Sequence, residues 1–272
     1  MFGFRRFKPG RHEGTPPPAP KLPDEVWART IVDVPAPPKP LSRMSAEPAE
    51  EAGVSQIALG QEKFKIRFAS TPDRRESASL LVKKMYSWRG YATEDGLAQA
   101  EANRITLVAS FQERVIGTLT IGFDSPAGLL ADQMYKAEVD QLRAEGRRVG
   151  EFIKLAADRD IHSMRVLAAL FHLAYIYGRN IHQYTDAVIE VNPRHVGFYR
   201  KILGFQQIGP ERMCPRAQAP AVLLSLSADY VAEKIRQFGG QREQARGEHS
   251  LYPWFFSPEE EAGITRRLLG GG

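Results

Sequence analysis

VNPRHVGFYRKILGF, residues 191–205, decides how this chain is read. The β-branched run TDAVIEV precedes it and predicts a strand. Asn192 and Pro193 then supply a helix start, with asparagine as N-cap and proline at the first helical position. Gly204 follows Leu203 where a left-handed residue would close the helix, and Phe205 opens a new apolar run. The stretch therefore predicts strand, helix of about three turns, strand. It leaves two questions. One is why the strand ends in Asn-Pro. The other is why the helix carries Tyr199.

Working outward, a strand, a buried helix, a strand and a second helix follow one another. RVGEFIKLAA (148–157) reads as a strand interrupted by Glu151 and Lys154. The run from Ile161 to Tyr177 is apolar almost all round, as a buried helix is. Upstream, FKIRF alternates apolar and polar. Thr71-Pro72 caps a helix to about Trp88, and a short helix is expected near residue 97. RITLVASF and RVIGTLTIGF flank Gln112-Glu113 as a hairpin. DSPAGLLADQMYKAEVDQLRAEG reads as a loop and an amphipathic helix stopping at Gly146. Two strands follow Phe205. This order predicts an α/β (α+β) domain over 61–238, a mixed sheet with helices on both faces.

Residues 1–60 hold 11 of the 19 prolines and are expected to be a disordered, polyproline-like arm. Residues 239–272 are expected to be a linker and a short helix from Ser257-Pro258, acidic first and basic last. The aromatic LYPWFF (251–256) within them either packs on the domain or touches a membrane interface. The net charge of +5 suggests an acidic partner but is too small to argue for nucleic acid. A single cysteine, Cys214, fits a reducing cytoplasm. MFGFRRFKPG lacks an apolar stretch, so no signal peptide is expected. His162, His172, His182 and His195 are ten, ten and thirteen apart, which is no metal-ligand spacing. His172 reads as a hydrogen-bonded core residue, and no metal is expected.

Three stretches together resemble a known family. They are GTLTIGFDSPAGLLADQMYKAEVDQLRAEGRRVGEFIKLAAD (117–158), FHLAYIYGR (171–179) and VNPRHVGFYRKILGF. The order ending in strand-NP-helix-FYxxxGF-strand resembles the GNAT acyltransferase fold. The three stretches resemble the FeeM-type N-acyl amino acid synthases, relatives of the acyl-homoserine lactone synthases, over about 63–228. Acetyl-CoA-dependent GNATs carry a glycine-rich pyrophosphate loop; here it reads DRDIHSMRVL, without glycine. The resemblance thus implies a long-chain acyl group delivered on the phosphopantetheine of acyl carrier protein, with no separate cofactor, and an amino-acid acceptor.

It also implies roles for residues. Glu151, a carboxylate in an apolar strand, is a general-base candidate; the structural alternative pairs it with Lys154, Arg147 or Arg148. Tyr199 would protonate the leaving thiolate, or is a core aromatic. Asn192 caps the helix or contacts the pantetheine. Backbone N–H groups near 152–156 would polarise the carbonyl. Arg194, Arg159 and Arg165, with other basic residues, would meet the donor, or are solvated charge. Trp88, Arg89, Tyr91 and Asp95 would hold the acceptor, or form a plain loop. The expected activity is N-acyl amino acid synthesis in the cytoplasm, peripheral at the inner membrane if 251–256 touch lipid. A lactone or ornithine-lipid acyltransferase and an inactive GNAT-like binding module remain alternatives.

Overall fold

The computed structural model describes residues 29–35, 63–91, 103–158, 164–245 and 247–270. The short helix expected near 97, Asp95 and Arg159 lie outside them. The sheet runs β1 (Thr30–Pro35), β2 (Lys63–Phe68), β3 (Arg104–Phe111), β4 (Arg114–Phe123), β5 (Val149–Ala157), β6 (Asp186–Val191), β9 (Ala219–Ser227), β7 (Gln206–Gln207). β8 (Arg212–Cys214) pairs with β9. Every pairing is antiparallel except β5 with β6. That parallel pair requires a crossover, and the buried helix supplies it.

The expected hairpin forms with the predicted bounds. Gln112 and Glu113 both take positive φ, 47° and 61°, as a two-residue turn matched to strand twist requires. Helices cover both faces, as expected. On one lie α1 (Pro72–Trp88) and α2 (Asp132–Ala144); on the other lies α3 (Met164–Tyr175), which continues as a π-helix through Ile176–Ile181. α3 buries Val166, Leu170, Phe171 and Leu173 against Ile116, Leu119 and Ile121. After β6 comes a single 3₁₀ turn, Pro193–His195, then α4 (Val196–Leu203), ended by Gly204 at φ 84°. A β-carbon at Gly204 would lie 2.4 Å from the Tyr230 ring, so only glycine fits there.

Two expectations are corrected. Residues 30–35 were assigned to the disordered arm, but they form an edge strand. Val34 is buried, and the Arg67 Nε donates to Thr30 Oγ1 at 3.0 Å. The period-2 signal is only six residues long and sits among prolines, and Pro35 is tolerated because it ends an edge strand. A further helix, α5 (Ala228–Phe238), follows β9 where no element was expected. Of the two readings of 251–256, packing on the domain is the one the structure shows. Leu251, Tyr252, Phe255, Ile264 and Leu268 join the main core. Leu251 N–H donates to the Ile202 carbonyl (2.9 Å) and the Tyr252 hydroxyl to the Leu203 carbonyl (2.6 Å).

α6 (Pro258–Leu268) carries the expected Ser257 cap and completes a capping box with Glu260. His172, fully buried, ties it down. Its Nδ1 accepts from Phe256 N–H at 2.9 Å, so its proton sits on Nε2, which donates to Glu261 at 3.1 Å. Burial lowers the His172 pKa against the opposing pull of Glu261. These contacts turn the aromatic side chains of 251–256 into the protein, which removes the basis for membrane contact through that segment. No helix among the described residues is long and apolar enough to cross a membrane.

Candidate active site

β5 and β6 pair only at Val149–Asp186, Gly150–Ala187 and Glu151–Val188. Beyond them the two strands form no further pairing. A bulge lies at this point: Thr118 opposes Ala156 and Thr120 opposes Ile153, so β5 spends one residue more than β4. Lys154 occupies the bulge at φ 54°. Asn192-Pro193 ends β6 and turns the chain away. The sheet is thereby split, and this answers the first question raised by the opening stretch: the Asn-Pro end marks where β6 leaves the sheet.

At the mouth of the split, the end of α1 meets the start of α4. Arg194 Nη2 donates to the Tyr91 hydroxyl at 2.7 Å, and its guanidinium lies 5.3 Å from that ring's centroid. Tyr86 meets Tyr91 edge-on at 6.1 Å, and Arg89 lies over Trp88 at 5.5 Å. Trp88 is 57% exposed and Phe198 45%, unusual for large apolar rings. Tyr199 belongs to this group: Tyr86, Arg89 and Tyr91 all act on its hydroxyl. Burial raises the Tyr199 pKa above the ordinary phenol value and pushes Tyr86 up to about 12. Burial and the nearby Arg194 and Arg89 lower the pKa of His195. Of the residues singled out in the sequence, Trp88, Arg89, Tyr91, Arg194 and Tyr199 are thus brought together.

Others go elsewhere. Asn192 caps as expected, its Oδ1 accepting from Arg194 N–H (3.2 Å), while its Nδ2 donates to the Pro220 carbonyl (3.1 Å). Both ends of the amide are engaged within the protein. Arg165 lies over Trp254 of the C-terminal segment, 5.7 Å from the ring centroid.

Glu151 lies on the sheet face covered by α2, 2% exposed. One carboxylate oxygen accepts from Leu130 N–H (2.9 Å), the other from Ala131 N–H (3.0 Å). Arg104 Nη2 is 3.9 Å away. The expected partners Lys154, Arg147 and Arg148 are not used; Arg147 faces Asp186 instead. Glu151 therefore anchors the loop that starts α2, where exposed backbone donors favour an anion. Gly122 makes room, since a β-carbon there would lie 2.5 Å from the Glu151 side chain. The same loop is pinned by Arg143, whose guanidinium bonds Asp124, Asp132 and Asp140 at 2.7–2.8 Å. Burial pushes the Glu151 carboxyl up, against the pull of the two N–H bonds and Arg104.

Beside it stands a residue the sequence reading passed over. Glu190 is on β6, two residues past the last pair with β5, on the same face as Val188. Its Oε2 pairs with Arg216 Nη2, and Arg216 Nη1 donates to Gln133 Oε1 at 2.6 Å. Its Oε1 is buried and has no hydrogen-bond partner. Thr118 Oγ1, on the same sheet face, is likewise buried without a partner. Burial raises the Glu190 pKa against the pull of Arg216. The signal available in sequence was the one used for Glu151, a carboxylate inside a β-branched run.

Under the β5–β6 seam, on the α3 face, lies a narrow apolar cavity of about 40 Å³, open on one side. Gly150 and Phe152 of β5, Ala187 of β6, Phe171 and Ala174 of α3, and Leu203 of α4 line it. Its apolar lining, rather than its volume, suits a hydrocarbon chain. Among the described residues no cluster of three or more His, Cys, Asp or Glu is arranged to hold a metal ion.

The model of the family N-acyl amino acid synthase FeeM matches residues 77–227. The solved structure of FeeM, an N-acyl amino acid synthase from uncultured soil microbes, is 26% identical at a TM-score of 0.58 and covers 63% of this chain and 95% of its own. A putative N-acetyltransferase from Lactobacillus plantarum is 16% identical at 0.44, over 61% of this chain and 98% of its own. The AHL synthase LasI is 10% identical at 0.44, over 61% and 91%. No curated protein matches.

Proposed function

This chain belongs to the FeeM family of N-acyl amino acid synthases, and from that premise we propose that it moves a long-chain acyl group from acyl carrier protein to the α-amine of an amino acid. It is an acyltransferase whose substrates are an amino acid and an acyl donor. The observation carrying the long-chain part is the apolar cavity beneath the seam, since each methylene buried there contributes about 0.8 kcal/mol. The carrier-protein part rests on the sequence DRDIHSMRVL (158–167), which lacks the glycines that let a pyrophosphate approach the backbone closely. The exposed Trp88 and Phe198 beside Arg89 and Arg194 suit a protein-borne donor with an acidic surface.

Dodecanoyl carrier protein is expected to exceed acetyl-CoA by at least about a thousandfold in kcat/KM, because the full methylene energy compounds roughly fourfold per carbon and about five buried methylenes suffice. Ala187→Leu, which fills the cavity, should move the preferred chain to shorter lengths. Steady-state assays with a chain-length series check both. Acetyl-CoA turning over as well as dodecanoyl carrier protein ends the proposal.

Tyr199 is a half-buried phenol on α4 beside Tyr86 and Tyr91, and we assign to it the proton taken up by the departing thiolate. This answers the second question raised by the opening stretch. Tyr199→Phe is expected to lower turnover by about 10²- to 10⁴-fold at an unchanged melting temperature, since the ring that packs on Phe205 is kept. The deficit should shrink with an aryl thioester, whose thiolate leaves without a proton. A loss of equal size for alkyl and aryl thioesters would assign Tyr199 to packing alone.

A further inference from the structure

We propose that Glu190, rather than Glu151, accepts the proton of the attacking amine. The inference deepens the activity proposed above and rests on it. Two carboxylates lie on one face of the split sheet, and their surroundings differ in kind. Both oxygens of Glu151 are held by backbone donors of the α2 loop. A proton arriving there would displace a hydrogen bond that fixes the loop.

Glu190 has a spare oxygen. Arg216, steadied by Gln133, holds Oε2 and orients the group, while Oε1 is buried and accepts from nothing. An unpaired carboxylate oxygen out of water is costly, so its persistence here points to a task. Position supports the same reading. Glu190 projects from β6 just past the point where the strand parts from β5. Its face carries Thr118, whose hydroxyl is also unpartnered.

The charged and titratable groups facing it are Arg216 from the β8–β9 turn, Glu151 on β5 and Tyr135 on α2. Burial holds its carboxyl above the ordinary range, which brings a base nearer the working pH. The Arg–carboxylate pair is the orienting contact.

The step balances as follows. The amine nitrogen bonds to the thioester carbonyl carbon, and the carbon–sulfur bond breaks. Of the two protons an α-ammonium gives up on becoming an amide nitrogen, one leaves to Oε1 of Glu190 and on to solvent. The other is matched by the proton delivered to the thiolate. No oxidant, reductant or further reactant is needed.

The test compares Glu190→Gln with the unaltered protein, using dodecanoyl carrier protein and two kinds of nucleophile. One is the full set of proteinogenic amino acids. The other is hydroxylamine, which is unprotonated at neutral pH and attacks without a base. Glu190→Gln keeps the shape and an acceptor for Arg216. Turnover with amino acids should fall about 10²- to 10⁴-fold, and the rising limb of the pH profile should move up to the titration of the free α-ammonium. Transfer to hydroxylamine should stay within a few-fold. Amino-acid turnover within twofold of the unaltered protein overturns the proposal, as does an equal loss with both nucleophiles. Should Glu190→Gln not fold, Arg216→Gln decides: without the cation the carboxyl holds its proton more tightly, so the rising limb must move to higher pH. A limb that stays in place overturns the proposal. If the unaltered protein transfers acyl groups to neither nucleophile, the activity proposed above falls with it.

Discussion

A chain ending at Gly239 is expected not to fold. Leu251, Tyr252, Phe255, Ile264 and Leu268 are each at most 3% exposed and belong to the same core as the sheet. Fully burying side chains of this size contributes about 1.5–3 kcal/mol apiece, so five of them amount to roughly the whole stability of an ordinary domain, about 5–15 kcal/mol. The truncation would also leave His172 buried without the Phe256 N–H and Glu261 that pair it. Circular dichroism and thermal melting of the purified fragment measure this. A cooperative transition within about 3 °C of the full chain, worth roughly 1 kcal/mol, would show that the C-terminal segment is dispensable.

Glu151→Leu is expected to be the most damaging single substitution. It removes an acceptor from Leu130 and Ala131 N–H and a counter-charge from Arg104, all at a buried site. Breaking such a cluster from one side costs about 3–5 kcal/mol, against the two or so that a leucine gains from burial. Glu151→Gln refines the reading. Its amide nitrogen must face one of the two backbone donors, so melting temperature and turnover should fall together. A group acting only as a base would lose turnover at an unchanged melting temperature. Finding that second pattern would restore Glu151 as the proton acceptor.

Local signals were legible where the interactions that enforce them are local. The Gln112-Glu113 turn, the Asn192 cap, the αL residue Gly204 and the Ser257 capping box each involve residues within about one turn of each other in sequence. The order of strands and helices followed from periodicity, and the GNAT-like sheet from that order. What escaped was settled at long range. Nothing near Thr30 states that β2 will accept it as an edge. Nothing near Leu251 states that the Ile202 carbonyl will be its partner. Glu151 was singled out rightly as a carboxylate needing partners, but its donors lie twenty and twenty-one residues away in the α2 loop. Glu190 was hidden in a run read only for its β-branched residues. Of the acceptor group expected from the sequence, Trp88, Arg89 and Tyr91 sit at the mouth, where Tyr91 meets Arg194, from a segment assigned to the donor.

The break between β5 and β6 also bears on how the molecule avoids sticking to its own kind. An open sheet ordinarily ends in strand edges at its borders, where a neighbouring chain can add another strand. Here one border strand, β1, is six residues long and closes with a proline, and the other, β7, is two residues long. The longer run of unshared hydrogen-bonding groups has been moved to the interior, along β5 and β6 beyond their third pair. A whole strand from another protein would have to pass the bulge at Lys154 and the turn at Pro193 to reach it. A slender extended ligand would meet neither obstacle, so width alone separates what the opening could take from what could add to the sheet.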